Sequence, residues 1–199
     1  LYSSAASDVY KRQPANMSEI MAIAKKYDLK IIEDCAQAHF AQWKGQNVGT
    51  IGDAGTFRVF PGKNLGAYGD AGCIITNDDK LALKARMFAG HGAIKKHSHE
   101  LEGINSRLDG LQAAILSVKL KYINEWTELR IQHAVTYSEL LSNGDNIVTP
   151  LTHENAKHVF HLYVIRSDNR DGLQKKLKEK NIPYKAVSYT HLTLPTNRE

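Results

Sequence analysis

The sequence is poor in cysteine, and its two cysteines, Cys35 and Cys73, both fall within apolar runs. This pattern argues against a disulfide-stabilised secreted domain and predicts two buried, reduced thiols in a cytoplasmic protein. Long hydrophobic runs are also lacking, since no stretch approaches the roughly 18 apolar residues that a membrane-spanning helix needs. We therefore expect no membrane segment.

Neither sign of charge dominates the chain, which has a formal net charge of +5 with 24% charged residues. The lysines between residues 119 and 121 and between residues 175 and 180 lie on helix-like segments, where a solvated face is the simplest interpretation. No basic patch with interleaved aromatic residues occurs, which argues against a nucleic-acid partner. The 199 residues, 42% of them hydrophobic, suit one globular domain, or one domain and part of a second.

Common nucleotide and metal signatures are missing as well. Lys63 is not a P-loop lysine, because Phe57 occupies the first glycine position and Asn64 replaces the serine or threonine. The evenly spaced glycines of the preceding region do not form a dinucleotide fingerprint: Gly49, Gly52 and Gly55. No metal site is expected, because no matching cysteines or carboxylates accompany the histidines of one polar loop: His91, His97 and His99.

Apolar strand-like runs alternate with helix-like segments, which predicts an α/β fold with a βα-type sheet buried on both faces. The predicted strands cover residues 29–34, 54–60, 71–76 and 158–166. The predicted helices cover residues 14–27, 80–89, 108–141 and 170–180, with loops at 40–53 and 90–103. The longest of these helices would reach roughly 50 Å if unbroken.

Two polar residues mark the ends of the first two strand runs. Asp34 ends the first run, and Lys63 follows the Pro61-Gly62 break after the second. In an open α/β sheet, ligands bind at the carboxyl ends of the strands. An acid and a lysine at that edge suit a pyridoxal phosphate (PLP) site, where a lysine forms a Schiff base and an aspartate faces the pyridinium nitrogen. The residues alone leave a second interpretation open, in which Lys63 is a solvated turn residue and Asp34 a cap.

Several motifs, in this order, resemble the DegT/DnrJ family of sugar aminotransferases. They include Ile32-Glu33-Asp34-Cys35-Ala36-Gln37-Ala38-His39, Gly52-Asp53-Ala54-Gly55, Phe60-Pro61-Gly62-Lys63-Asn64-Leu65-Gly66-Ala67, Gly69-Asp70-Ala71-Gly72 and Asn105-Ser106-Arg107-Leu108-Asp109. The resemblance extends over residues 14–186, and ordered motifs that match together are far more specific than any one of them alone.

The resemblance implies the PLP-dependent transferase fold type I, which is aspartate-aminotransferase-like. Residues 14–141 would belong to the second half of the large domain, including a long linking helix, and residues 142–186 would begin the small domain. Residues 1–13 and 187–199 resemble translated sequencing-adaptor read-through, so we expect them to be non-native tails on an internal fragment of a longer enzyme.

The resemblance also implies roles for individual residues. Lys63 would be the catalytic lysine that anchors the cofactor and shuttles a proton, and Asp34 would keep the ring nitrogen protonated. Gln37 would lie against the cofactor ring, near its 3-hydroxyl, although a surface amide at a strand end is the alternative. Asn105 would bind the cofactor phosphate of a neighbouring subunit, which implies a homodimer with shared active sites. On the residues alone, Asn105 is simply a good helix N-cap.

Two positions depart from the family pattern. Arg58 stands where the family usually has a serine that contacts the phosphate. An arginine there either binds phosphate bidentately or spoils the pocket, and a read error is a third interpretation. Phe40, where glycine is common, is a milder departure.

The function implied is that of a PLP-dependent aminotransferase that moves an amino group, with glutamate as donor, to a nucleotide-linked keto-deoxysugar. The Pro-Gly-Lys-Asn-Leu-Gly-Ala form favours the dTDP-3-keto branch, and the presence of Lys63 argues against the relatives that carry His there and dehydrate sugars. The alternative is a catalytically inactive regulatory or scaffold relative, for which Arg58 is the only hint. Because the family's upstream half carries a Gly-rich phosphate turn and a ring-stacking aromatic, we expect this chain alone to be inactive.

Overall fold

The computed structural model describes residues 13–95, 97–142, 144 and 146–186, together with the backbone of residues 2–5. The helices are α1 (Met17–Lys26), α2 (Asp79–Ala89), α3 (Gly110–Lys119), α4 (Ile123–Leu141) and α5 (Arg170–Glu179). The strands are β1 (Tyr2–Ala5), β2 (Ile31–Asp34), β3 (Gln42–Trp43), β4 (Gln46–Asn47), β5 (Ala54–Arg58), β6 (Gly72–Ile75), β7 (Ile147–Val148), β8 (Ala156–Lys157) and β9 (Arg166–Ser167). Residues 6–12 and 187–199 lie outside this range, and the assignment of both ends as non-native tails stays a prediction.

The largest sheet has the strand order β1-β2-β5-β6. Strands β1, β2 and β5 run parallel, and β1 lies in the range that the sequence analysis set aside as a tail. The predicted burial of both sheet faces is wrong for β6, whose residues are all exposed. Strand β6 is antiparallel to β5. The loop that joins them, residues 59–71, contains no crossover helix and folds back on itself, with the Val59 N–H donating to the Ala71 carbonyl. All of β6 is exposed, so Cys73 is exposed whereas Cys35 is buried. The prediction of two buried thiols is therefore wrong for Cys73.

Helix α1 packs against one face of this sheet. The Oδ1 atom of Asn16 accepts a hydrogen bond from the Glu19 N–H and caps the helix. Its apolar face buries Met17 and Ala24 in a cluster that includes Ile31 of β2. The unit β1-α1-β2 is thus a parallel pair joined by a covering helix.

The predicted loop at residues 40–53 contains a β-hairpin formed by β3 and β4. Lys44 has φ 49° and Gly45 has φ 80° at its turn, and positive φ values at both central residues are typical of a tight two-residue hairpin. Strand β8 pairs with the other edge of β3, with Ala156 opposite Trp43. This pairing brings the segment from the predicted small domain onto the body formed by residues 14–141. The domain boundary at residue 142 stays a prediction.

The single long helix predicted at 108–141 is in fact two helices, α3 and α4. Between them, the Lys121 N–H bonds the Val118 carbonyl and the Tyr122 N–H bonds the Lys119 carbonyl, so the chain makes a tighter turn than an α-helix. The turn allows Ile123, which is 1% exposed, to become buried. Among the described residues, no helix has both the length and the apolar character needed to cross a membrane.

The strand predicted at residues 158–166 is wrong. Only the short strands β8 and β9 flank this range, and the residues between them are irregular. Phe160 has φ 43°, a left-handed conformation that a strand cannot contain. The Val159 carbonyl accepts a hydrogen bond from the side chain of Asn64 instead of from a neighbouring strand.

Candidate active site

The carboxyl ends of β2 and β5 lie side by side and bring predicted site residues to one edge. Asp34 is the last residue of β2 and pairs in register with Thr56. The Cys35 N–H donates to the Thr56 carbonyl at 2.8 Å, so the pairing continues one residue past the strand. Arg58 ends β5, and Gln37 follows β2 in the next turn. This edge is where an α/β sheet binds ligands.

Asp34 and Gln37 both present oxygen atoms at this edge. Asp34 is exposed, and its Oδ1 accepts a hydrogen bond of 3.0 Å from the Ala36 N–H, which orients the carboxylate beyond the strand end. The Gln37 Oε1 is buried and has no donor within the described part of the chain. A buried amide oxygen without a donor costs about 1–3 kcal/mol, so a ligand hydroxyl placed there would be stabilising.

Lys63 lies in a closed loop that follows β5. Its N–H donates to the Phe60 carbonyl at 2.9 Å, and the Ala67 N–H donates to the Val59 carbonyl at 2.7 Å. These bonds return the chain to the strand end, so the half-buried Lys63 is held in a defined turn. The backbone of Lys63 thus lies in a turn, and the role of its side chain as the cofactor lysine stays a prediction.

The far side of the Lys63 loop is held by α3. The Lys119 Nζ donates to the Gly66 carbonyl at 2.6 Å, and the same ammonium lies 4.6 Å from the centre of the Tyr68 ring. The Tyr68 N–H donates to Gln112 Oε1 at 2.8 Å. A Cβ at Gly66 would lie 2.5 Å from the Pro61 carbonyl oxygen, so only glycine fits this closure.

Asn64, next to the lysine, is buried and makes contacts far along the chain. Its Nδ2 donates to the Val159 carbonyl at 3.1 Å, and its Oδ1 lies 3.0 Å from the His161 Nδ1. The sequence analysis gave Asn64 no role, because a partner 95 residues away leaves no local signal.

His39 is a second residue whose role the sequence analysis missed. Its ring is 2% exposed and packs on Phe57, with ring centroids 5.5 Å apart. Burial, and secondarily the positive charge of Lys63, lowers the pKa of His39 to about 4. Its two ring nitrogens have no hydrogen-bond partner among the residues that the structure describes. A neutral imidazole thus lies within electrostatic reach of Lys63.

Glu33 precedes Asp34 but points to the opposite face of β2, where it is fully buried. Its carboxylate accepts hydrogen bonds from the N–H groups of Gly49 (2.7 Å), Ile51 (2.8 Å) and Gly52 (2.7 Å). These bonds hold the 49–52 loop against the strand that carries Asp34. The signal in the sequence is a carboxylate inside an apolar strand, but its partners could not be predicted from it.

Three evenly spaced glycines, Gly49, Gly52 and Gly55, allow the 49–52 loop to pack closely against the strands. A Cβ on Gly49 would lie 2.6 Å from the Phe57 ring, and one on Gly55 would lie 2.5 Å from the Gly49 carbonyl oxygen. A Cβ on Gly52 would lie 2.8 Å from the Ile31 carbonyl oxygen. The glycine spacing therefore reflects contact between backbones.

Arg58 has partners of its own at the end of β5. Its Nη2 donates to Asp70 Oδ1 at 3.2 Å, and its guanidinium lies 4.9 Å from the centre of the Phe60 ring. Both members of the ion pair are exposed, and such pairs contribute at most about 1 kcal/mol. Arg58 can therefore exchange Asp70 for a phosphate at little cost.

Asn105 lies in the loop after α2. Its backbone bridges to Gly90, and its Oδ1 accepts a hydrogen bond from Arg107 Nε at 3.0 Å. The N-cap interpretation is wrong, because α3 begins at Gly110 with Asp109 as its N-cap.

Comparison with known proteins identifies one matching family and several similar proteins. Residues 10–197 match the model of the DegT/DnrJ/EryC1/StrS aminotransferase family. The chain is 53% identical over 172 residues to a pleiotropic regulatory protein of Geobacillus stearothermophilus, covering 85% of this chain and 46% of that protein. It is 44% identical over 187 residues to the dTDP-3-amino-3,6-dideoxy-alpha-D-galactopyranose transaminase of Aneurinibacillus thermoaerophilus, covering 94% of this chain and 50% of that protein. The chain thus spans about half the length of the curated relatives it matches.

A solved structure matches the fold. The crystal structure of S. venezuelae DesV in complex with a ketimine intermediate has a TM-score of 0.86 and 36% sequence identity, covering 91% of this chain and 48% of that one. The predicted α/β aminotransferase fold is confirmed by this match. From the family model and these relatives, we conclude that the chain belongs to the DegT/DnrJ/EryC1/StrS aminotransferase family.

Proposed function

We propose that this chain carries the cofactor-anchoring part of a PLP-dependent sugar aminotransferase, with Lys63 as the catalytic lysine and Asp34 as the partner of the ring nitrogen. The observation that carries the proposal is the arrangement at the sheet edge. Asp34 ends β2, and the closed loop of Lys63 follows β5, its parallel neighbour. The pairing of β2 with β5 supports a common location for the two groups, at the edge where an α/β sheet binds ligands.

The residues present fit the cofactor. Asp34 is an exposed carboxylate, so it can approach a pyridine nitrogen and favour the protonated form of the ring. The buried Gln37 Oε1 lacks a donor among the described residues, and a ring hydroxyl supplies one. Arg58 binds the phosphate in this proposal and gives up its exposed ion pair with Asp70.

These positions suggest a separate chemical role for the cofactor and for each of the residues around it. When bound, PLP supplies an aldehyde that condenses with amines and a ring that delocalises the electrons left by a departing proton. Lys63 supplies the amine that anchors the cofactor and, once released, moves a proton to and from the reacting carbon. Burial keeps the nearby His39 neutral, so this ring adds no second positive charge beside that lysine.

The substrate proposed is a nucleotide-linked keto-deoxysugar of the dTDP-3-keto type, with glutamate as amino donor. This part is supported by the A. thermoaerophilus relative, a dTDP-3-amino-sugar transaminase. This substrate is proposed for the whole protein, because the 199-residue chain covers only 50% of that relative. We expect the 199-residue chain itself not to transaminate.

A homodimer with shared active sites is part of the proposal, with Asn105 reaching the phosphate of the neighbouring subunit. Support comes from the exposed loop around Asn105, whose apolar neighbours Ile104 and Leu108 are 50% and 45% exposed. We expect sedimentation of the full-length protein to give a dimer and Ile104→Asp to shift it towards monomer. The cytoplasmic location is supported by the free thiols Cys35 and Cys73.

A second candidate is a catalytically inactive regulatory relative. The 53% identical G. stearothermophilus relative is a pleiotropic regulatory protein, and Arg58 occupies the serine position beside an ion pair with Asp70. In this alternative, the fold is kept and turnover is lost because Arg58 spoils the phosphate pocket, so Arg58→Ser would restore transamination. Unchanged or lower activity in that variant favours the enzyme, because Arg58 is then not a lesion.

The direct test uses the full-length protein and PLP. We expect a visible absorbance band to appear on adding PLP to the wild type, and we expect it to be lost in Lys63→Ala and shifted in Asp34→Asn. Lys44→Ala, on the exposed hairpin turn, is the matched control and should keep the band. A wild-type protein without the band, or a Lys63→Ala variant that retains it, contradicts the proposal.

A further inference from the structure

We propose that Asn64 is a positioning residue for Lys63, because its buried side-chain amide clamps the lysine-bearing loop to the segment Val159–His161 and fixes the tautomer of His161. The role assigned to Lys63 rests on the proposed function. The clamp itself consists of contacts within this chain.

The two hydrogen bonds of Asn64 determine its orientation. The Val159 carbonyl can only accept, so the NH₂ group of the amide must face it, at 3.1 Å. The amide oxygen therefore faces the His161 Nδ1, at 3.0 Å. An oxygen needs a donor, so the proton of the neutral His161 ring is on Nδ1 and the lone pair is on Nε2.

The segment that receives the clamp is itself held to the body of the fold. The Lys44 N–H donates to the Asn155 carbonyl at 2.6 Å, and Ala156 pairs with Trp43 of β3. Val159 is fully buried, in the cluster that contains Cys35, the residue after Asp34. Asn64 thus joins the Lys63 loop to the same core that supports Asp34.

Loss of the amide would leave polar groups without partners in a buried place. Asn64 is 3% exposed and Val159 is fully buried, so removal of the amide deprives the Val159 carbonyl of its donor where water has little access. The residue next to Lys63 would no longer be tied to the Val159–His161 segment, while the backbone bonds of the turn and the Lys119 bond to Gly66 would remain. A displacement of about 1 Å in a reacting group costs up to roughly a hundredfold in rate.

The first experiment needs no cofactor. Nitrogen NMR of the 199-residue chain labelled with ¹⁵N-histidine, assigned with His161→Gln, is expected to show His161 protonated at Nδ1. Asn64→Ala should abolish this fixed tautomer, and Asn47→Ala, which removes an exposed amide contact with Gln42, should leave it unchanged. A wild-type ring protonated at Nε2, or an unchanged signal in Asn64→Ala, overturns the clamp.

The second experiment measures the effect on Lys63. The chain is mixed with PLP and reduced with borohydride, and the labelling rate of each lysine is read by peptide mass spectrometry. Asn64→Ala should slow labelling at Lys63 by roughly tenfold to a hundredfold and leave labelling at the exposed Lys44 unchanged. Circular dichroism checks that the variant is folded. If it is not, Asn64→Asp replaces it, because the carboxylate keeps an acceptor for His161 and loses the donor to Val159.

The two experiments separate the two proposals. Equal labelling of Lys63 in the wild type and in a folded Asn64 variant overturns the positioning role, even where the NMR signal confirms the clamp. A wild-type chain in which Lys63 is not labelled in preference to surface lysines contradicts the proposed function instead, and the tautomer of His161 then decides on the clamp alone.

Discussion

The His39 imidazole packs on the Phe57 ring, with the centroids 5.5 Å apart and the ring planes inclined at 49°. Phe57 belongs to β5, the strand that leads to Lys63, and His39 follows β2, the strand that ends in Asp34. The pair therefore connects the two strand ends beneath the proposed site. Burying the His39 imidazole costs free energy, because the ring must stay neutral in the folded state.

The first prediction concerns acid stability. The folded-state pKa of His39 is about 4 and its ordinary value is 6.5, so between these pH values the unfolded chain binds more protons than the folded one. The contribution of His39 to stability is therefore intact above pH 6.5 and is lost as the pH falls towards 4, by about 3 kcal/mol in total. Urea unfolding at a series of pH values measures this loss.

The matched variants for this prediction are His39→Phe and His133→Gln. Phenylalanine keeps the ring contact with Phe57 and removes the titrating group, so His39→Phe should flatten the pH dependence and raise stability in acid. His133 is exposed on α4, and its replacement should leave the slope unchanged. Equal slopes in the wild type and His39→Phe would show that His39 does not titrate in this window.

A second prediction concerns the buried carboxylate of Glu33. In Glu33→Gln, an NH₂ group replaces one oxygen and faces the backbone N–H groups that the carboxylate accepts from. We expect the free energy of unfolding to fall by about 2–4 kcal/mol. Glu128→Gln, which removes an exposed ion pair with Lys157, is the control and should cost under about 1 kcal/mol. Equal losses in the two variants would argue against the anchoring role of Glu33.

A third prediction tests the contact between the 49–52 loop and β5. Alanine at Gly55 places its Cβ 2.5 Å from the Gly49 carbonyl oxygen, and backbone on both sides leaves no flexible group to move. We expect Gly55→Ala to destabilise the chain by about 1–3 kcal/mol, as overpacking does. A Cβ at Gly62 has no atom within 4 Å, so Gly62→Ala should be nearly neutral. Thermal unfolding compares the two, and similar midpoints would contradict the close packing.

Local chemistry made much of the fold predictable. Helix α2 begins at Asp79, within one residue of the predicted start at residue 80, because the Asp78 carboxylate accepts from the Lys80 and Leu81 N–H groups. The strands that end in Asp34 and Arg58 were predicted from apolar runs bounded by turn residues. At these places, propensity and patterning agree with the tertiary fold.

The predictions that failed depended on distant contacts. The break between α3 and α4 contains no proline or glycine and follows from the burial of Ile123. The alternation of apolar and polar residues at 158–166 is typical of a strand. The Val159 carbonyl, however, accepts a hydrogen bond from the Asn64 side chain and does not pair with a neighbouring strand. Neither outcome can be predicted from residues close in sequence.

The central claim is that Lys63 is the lysine that binds PLP. Its most direct test is borohydride reduction of the 199-residue chain mixed with PLP, followed by peptide mass spectrometry of every lysine. We predict that Lys63 is labelled in preference to exposed lysines such as Lys44, and that Asp34→Asn reduces this preference. Labelling that follows exposure alone, or that is the same in Lys63→Arg, would contradict the account.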